Sequence, residues 1–326
     1  MRIFLTGGAG YIGGATCAAL LQAGHQVTVY DNLSRGHRAA VPAAAQFIQG
    51  DLENREALAA ALGSASFDAV LHFAALIEAG ESMQQPARYF RNNTSGSLNL
   101  IEAAINAGCL QFVFSSTAAV YASSPDPLTE DSSLQPANVY GETKLMIERM
   151  LHWHNQVHGL RYAAMRYFNA CGALPGRGEA HQPETHLIPR LMQVALGQQT
   201  SFSIHGTDYA TPDGTCIRDY IHISDLAAAH LVALHALASQ PVLTYNLGTG
   251  HGYSVRQLLE RARSITGCPI AAVEAPRRAG DAARLVAQPA KIERELGWRT
   301  QHSDLDGILT TAWDWHRSHP HGYRPA

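Results

Sequence analysis

The turn Gly7-Gly8-Ala9-Gly10-Tyr11-Ile12-Gly13 stands directly after a short apolar run and directly before an apolar, helix-forming stretch. No other feature restricts the possible folds as strongly. Glycines let the backbone turn sharply and approach a pyrophosphate with no Cβ in the way. The helix that follows offers free N–H groups and a partial positive charge to phosphate. A β-branched run at 26–30 then ends on Asp31-Asn32. A carboxylate there accepts hydrogen bonds from the adenosine ribose hydroxyls and repels a 2′-phosphate, so the pattern selects NAD over NADP. Asp51-Leu52, after the next strand-like run, is placed for an adenine contact.

Short apolar runs alternate with amphipathic stretches through the first half of the chain. Strands are expected at 3–5, 26–30, 47–49, 69–73, 111–115 and 162–166, and helices at 11–23, 54–62, 88–107 and 140–158. That alternation implies right-handed crossovers and a parallel sheet covered on both faces. The expected fold is α/β: a Rossmann-type doubly wound sheet with a smaller, interleaved mixed α/β substrate domain. Between 172 and 219 prolines cluster with glycine and histidine around one helix at 187–195. A helix at 225–238 and a strand at 244–247 read as a return to the sheet, and two or three helices with little strand signal follow from 252. The boundaries that result are a NAD-binding domain at 1–168 with a returning segment at about 219–247, and a substrate-binding domain at 169–218 and 248–326.

Composition excludes several classes. With 24 Lys+Arg against 27 Asp+Glu, the net charge of −3 offers no surface for nucleic acid or an anionic membrane. At 46% hydrophobic and 16% charged, the chain buries a sizeable core. No apolar run reaches transmembrane length, and MRIFLT runs straight into glycines without a leader pattern. Five cysteines with no C-x-x-C pair suit a reducing compartment, so a cytoplasmic location is expected. Cys171 and Cys216 read as packing residues. His154 and His158 lie four apart on a predicted helix but lack an accompanying H-E-x-x-H glutamate, so no metal set is expected.

Tyr140 and Lys144, in NVYGETK, fall one turn apart on one helix face. A lysine ammonium beside a phenol favours the phenolate, which tunes tyrosine toward general-base work. Ser115-Ser116-Thr117 closes a strand whose C-terminal edge faces the crevice where open α/β sheets bind ligands.

The glycine turn and the Tyr-x-x-x-Lys pair together resemble the extended short-chain dehydrogenase/reductase superfamily. The blocks TGGAGYIG, YDNLSRG, SSTAAVY, RYFNACGA, ETHLIPRLMQVALG, DYATPDGTCIRDYIHISDLA, YNLGTGHGYSV and APRRAGD, in that order, resemble the UDP-galactose 4-epimerases over essentially the whole chain. The resemblance implies that Tyr140 is the base, that Lys144 partners it and holds the nicotinamide ribose, and that Thr117 supplies a hydroxyl where serine is more usual. It implies a cofactor site of Gly7, Gly10, Tyr11, Ile12, Gly13, Asp31, Asn32, Asp51, Leu52, Phe73, Ala74, Ala75, Asn92, Ser115 and Tyr167. Substrate contacts carried over are Asn169, His186, Leu187, Ser203, His205, Arg218, Tyr220, Arg278, Asp281 and Leu285. Arg218 and Arg278 would neutralise the diphosphate, and Asp281 would hold a ribose hydroxyl.

Implied with these residues is a reaction in which tightly bound NAD oxidises sugar carbon 4, the 4-keto sugar rotates, and re-reduction inverts the centre. Related dehydratases and decarboxylases carry acidic residues directly after the motif threonine. Here Ala118 and Ala119 stand there, and alanine moves no proton. A UDP-xylose/UDP-arabinose or a UDP-GlcNAc/UDP-GalNAc 4-epimerase shares the same chemistry. A non-catalytic NAD-binding sensor on the same fold is the alternative of another class. The resemblance also implies a homodimer through a four-helix contact of the helices at 88–107 and 140–158. Departures from the family pattern are Ile77, where some members have lysine, Val139, where proline is frequent, and Gly14-Ala15.

Overall fold

Residues 1–278 and 281–323 are described by the computed structural model; Ala279-Gly280 of the APRRAGD block lies outside them. The first half runs β1 (Arg2–Thr6), α1 (Tyr11–Gln22), β2 (Gln26–Asp31), β3 (Gln46–Gln49), α2 (Arg55–Gly63), β4 (Ala69–His72), α3 (Ala79–Gln84), α4 (Pro86–Tyr89), α5 (Gly96–Asn106), β5 (Gln111–Thr117), α6 (Val139–His158) and β6 (Arg161–Tyr167). After it come β7 (Asn169–Cys171), α7 (Leu187–Ala195), β8 (Phe202–His205), β9 (Ile217–His222), α8 (Ile223–Ala236) and β10 (Val242–Leu247). The chain ends with β11 (Gly252–Ser254), α9 (Val255–Thr266), β12 (Ala272–Ala275), β13 (Arg284–Leu285), α10 (Ala290–Leu296) and α11 (Leu305–Ser318).

Seven strands form one sheet in the order β10-β6-β5-β4-β1-β2-β3. Every pairing in it is parallel. Parallel strands are covered on both faces, and the two cores show it. Ile3, Leu5 and Leu20 pack with Leu226 and Ala229 on one face. Phe4, Leu58, Val70, Leu100, Ile147 and Leu151 pack on the other. Strand order reverses between β1 and β4, which opens a crevice at their C-terminal ends. That crevice places Gly7 and Ala74 face to face.

A smaller sheet joins β11, β9 and β13, with β7 also on β9, and β8 pairs with β12. Leu191, Met192, Ile204, Tyr220, Leu258 and Ile308 form its core. Here the structure departs from expectation. The tail after 252 contains three short strands as well as its helices. They are two to four residues long, too short to show a period. The stretch 217–222, where no strand was expected, is a strand centred on a buried Asp219. Its carboxylate accepts N–H groups from Thr249, Gly250 and Ala287 at 2.9–3.1 Å, which is why a charge sits inside a strand. The single helix expected at 88–107 is α4 and α5 joined by a π-helical turn, Phe90–Ser95. Buried Asn93 on that turn bonds both backbone groups of Leu76 and the Thr143 hydroxyl. Among the described residues, no helix is long and apolar enough to cross a membrane.

Candidate active site

The glycine turn fits a dinucleotide. Gly7 has φ +76°, and a Cβ on it would lie 2.4 Å from the Ala74 backbone nitrogen. Only glycine allows β1 and the turn after β4 to approach this closely. Helix α1 starts at Gly10 with no capping side chain, so its first N–H groups remain available to phosphate. Tyr11 and Ile12 are its first two residues, and the Tyr11 hydroxyl donates to the Gly172 carbonyl. Asp31, at the end of β2, accepts N–H from Ala9 at 3.0 Å and Leu33 at 2.8 Å, and its remaining lone pairs are free for ribose hydroxyls. Burial raises its pKa. Asn32 donates to Asp51 at 2.8 Å, next to buried Leu52. Phe73, Ala74 and Ala75 follow β4 as its strand enters the crevice. Asn92 lies on the π turn, where it bonds Asn93.

Tyr140, Lys144 and Thr117 meet at the same end of the sheet. Helix α6 is started by Asn138, whose side chain accepts the Gly141 N–H at 2.9 Å. The Tyr140 N–H donates to Ser82 Oγ at 3.1 Å, tying this end of α6 to α3. A Cβ on Gly141 would lie 2.3 Å from the Ala119 carbonyl oxygen, so glycine lets α6 press against the turn that follows β5. This places the Tyr140 phenol against the Thr117 hydroxyl. Lys144 Nζ donates to the Ser115 carbonyl at 2.7 Å and lies 5.9 Å from the Tyr140 ring centre. Ser115 Oγ is bonded to the Tyr167 hydroxyl.

The sequence led us to expect that lysine would lower the tyrosine pKa. In the structure burial prevails on both groups. It pushes the phenol up to about 12, against the pull of Thr117, and the amine down to about 7, against the pull of Glu148. The ammonium is turned to the Ser115 carbonyl, and a lysine so desolvated is a weak source of charge.

The substrate candidates gather on the second sheet. Asn169 is opposite Tyr220 in the β7–β9 register. Leu285 is opposite Arg218 in the β13–β9 register. The Arg218 guanidinium lies 3.5 Å from the Asp281 carboxylate. Ser203 and His205 lie on β8. Burial, then the nearby Arg278 and Arg190 charges, lowers the His205 pKa. Arg190, on α7, is a third cation here that sequence reasoning missed. Leu187 opens α7. His186, expected to contact nucleotide, turns Nδ1 to Glu179 at 2.8 Å and to Glu184 at 2.9 Å.

Also missed was a buried network behind α6, the helix that carries Tyr140 and Lys144. Glu148, one turn beyond Lys144, pairs with Arg166 of β6 at 2.6 Å and accepts the Ser116 hydroxyl. Arg166 donates to the Tyr121 hydroxyl at 2.8 Å, which donates to Asn246 at 2.7 Å. The only advance signal is the i, i+4, i+8 stacking of Tyr140, Lys144 and Glu148 on one face of α6.

Comparison with known proteins agrees with this geometry. The profile of the NAD dependent epimerase/dehydratase family matches residues 3–248. The UDP-glucose 4-epimerase of Halalkalibacterium halodurans is 47% identical, with 99% of this chain and 98% of that protein aligned. A solved UDP-glucose 4-epimerase superposes with TM-score 0.96 at 46% identity, over 99% of this chain and 100% of that one. Another, from Brucella ovis in complex with NAD, gives 0.92 at 43%, over 96% and 97%. The chain belongs to the NAD dependent epimerase/dehydratase family, and within it to the UDP-glucose 4-epimerases.

Proposed function

We propose that the protein interconverts UDP-galactose and UDP-glucose, with Tyr140, Lys144 and Thr117 as its catalytic residues. The observation that carries this reading is the meeting of Tyr140, Thr117 and Lys144 at the mouth of the Gly7–Ala74 crevice, with no acidic side chain at 118 or 119. Bound NAD supplies the reversible oxidation and reduction of sugar carbon 4, and its positive nicotinamide favours the phenolate. Tyr140 takes the proton of the 4-hydroxyl and, after the 4-keto sugar has turned, gives it back to the same oxygen, while the hydride would return to the opposite face of carbon 4. Thr117 steadies the reacting oxygen by hydrogen bonding. Lys144, held by the Ser115 carbonyl, orients the nicotinamide ribose.

Arg218, Arg278, Asp281, Asn169, Ser203, His205, Tyr220 and Leu187 grip the UDP portion, leaving the hexose free to rotate. Leu285 borders the sugar. Guanidinium forks match diphosphate oxygens, and Asp281 beside Arg218 keeps that fork aligned. The cofactor part is 1–168 with its return at about 219–247, and the UDP-sugar part is 169–218 and 248–326. This division is supported by β10, which rejoins the seven-stranded sheet, and by α8, which packs on α1.

The working form is a cytoplasmic homodimer paired through α4–α5 and α6. Supporting this pairing, Trp153 and Val157 on α6 are 66% and 68% exposed, beside Met146 and Met150. Supporting the location, all five cysteines are free.

Tyr140→Phe tests the catalytic assignment. UDP-sugar binding is expected to be kept while turnover falls by about 10²-fold or more. Near-normal turnover overturns the assignment.

A further inference from the structure

A second cluster of chemistry-bearing side chains lies outside the catalytic crevice, on the segment that leads into α7. Glu179, His181, Glu184 and His186 fall within eight residues, and one ligand atom from each lies within 4.8 Å of all the others. His186 Nδ1 is 2.8 Å from Glu179 Oε1 and 2.9 Å from Glu184 Oε1. His181 Nδ1 is 3.1 Å from Glu179 Oε1 and 4.0 Å from Glu184 Oε2. Both imidazoles therefore present the same nitrogen to the same two carboxylates.

The Glu179 and Glu184 side chains are only 7% and 5% exposed. Among the described residues neither carboxylate has a lysine or arginine within 4.0 Å. Two nearly dry carboxylates need close to two positive charges. An Nδ1–H points along one line, yet His186 faces two oxygens at near-equal distance. A single divalent ion accepts lone pairs from all four groups and balances the charge.

We propose that Glu179, His181, Glu184 and His186 form a divalent-cation site of the zinc class, which pins the segment before α7 onto the loop that follows β2. Two imidazoles and two carboxylates are a borderline donor set, suited to Zn²⁺ and Co²⁺ rather than to Mg²⁺ or Ca²⁺. Bonds of about 2.0 Å in a tetrahedron put ligand atoms about 3.3 Å apart, inside the 2.8–4.0 Å range of the imidazole-to-carboxylate separations and below the 4.8 Å that bounds all four ligand atoms.

The surroundings are built to hold these ligands. Glu184 Oε1 accepts the N–H groups of Thr185 and His186, both at 2.8 Å. The Glu179 carbonyl accepts the Trp315 indole N–H at 3.0 Å. His181 and His186, at 18% and 39% exposure, form the rim by which an ion enters. The same segment reaches the loop after β2: His37 Nε2 bonds the Ala180 carbonyl at 2.7 Å, and Arg35 donates to the Gln182 carbonyl at 2.9 Å. The ion thus acts by positioning, holding the start of α7 over the dinucleotide crevice.

The test uses untagged full-length protein. Metal analysis of the purified protein is expected to find about one zinc per chain. Chelation with dipicolinate should lower Tm, and added Zn²⁺ should restore it. Co²⁺ added to the stripped, unmodified protein should give the intense visible absorption of a four-coordinate site, which needs no variant to read. Glu184→Gln and His186→Asn should each lose the metal and the absorption. The proposal is overturned by less than about a tenth of an equivalent of metal together with no Tm response to Zn²⁺. It is equally overturned by a six-coordinate Co²⁺ spectrum, or by full metal retention in both variants.

Discussion

Lys144 illustrates how one residue trades stability for function. Its side chain is fully buried, its amine is pushed down to about 7, and its single hydrogen-bond partner is a backbone carbonyl. Keeping an amine there costs desolvation free energy that an apolar side chain of similar length avoids. Lys144→Met should therefore hold Tm within a few degrees or raise it, while kcat falls by about 10²-fold. Thermal melts run beside initial rates check this split. A large loss of Tm with kcat preserved would mean that the lysine is structural. That Tyr140, Lys144 and Thr117 come together was legible in advance because each belongs to a local pattern, a one-turn spacing or a strand end. Their protonation was not legible. Charge spacing suggested a lowered tyrosine, whereas burial, which linear order does not reveal, moved it up to about 12.

At the scale of elements, the site depends on how closely α6 approaches the turn after β5. Gly141 sets that distance: a Cβ would meet the Ala119 carbonyl oxygen at 2.3 Å, and its carbon at 3.0 Å. Backbone cannot swing aside as a side chain can. Gly141→Ala should push the N-terminus of α6 outward, costing about 1–3 kcal/mol of stability. Tyr140 moves with it, so turnover should drop about tenfold or more. A variant with wild-type melting and wild-type kcat would show that this contact does not position the tyrosine. The long helices were readable because each runs long enough to display a period, and the parallel strands because they are apolar runs set between those helices. The segment 179–186 was not, although all four of its ligand-type residues were in plain view. Pro175, Pro183 and Pro189 mark it as loop, and side-chain direction in a loop follows no period. The Glu148–Arg166 pair was hidden for another reason, since it joins a helix to a strand across 18 residues of chain.

The whole molecule divides its labour between two sheets. Seven parallel strands build a crevice at the point where strand order reverses, with Gly7, Asp31 and Lys144 around it. The smaller sheet lines up Asn169, Arg218, Tyr220 and Leu285 through β9. Segment 172–186 crosses between them, bonded to Tyr11 at Gly172, to His37 at Ala180 and to Arg35 at Gln182 before it opens α7. Under the proposed function, the charged groups gather where the nucleotide would be anchored, while the committed polar groups at the reacting centre are few. That distribution suits an enzyme that must release and re-present one sugar carbon without letting go of the rest. It also requires the cofactor to stay in place, because each turnover returns what it removes. The most direct test is to incubate the purified protein with UDP-galactose, with no NAD added, and follow UDP-glucose by chromatography and NADH by absorbance. UDP-glucose should form at a steady rate, the same final mixture should be reached from UDP-glucose, and NADH should not accumulate. Failure to form UDP-glucose even with NAD supplied, or NADH rising in step with product, would contradict the account.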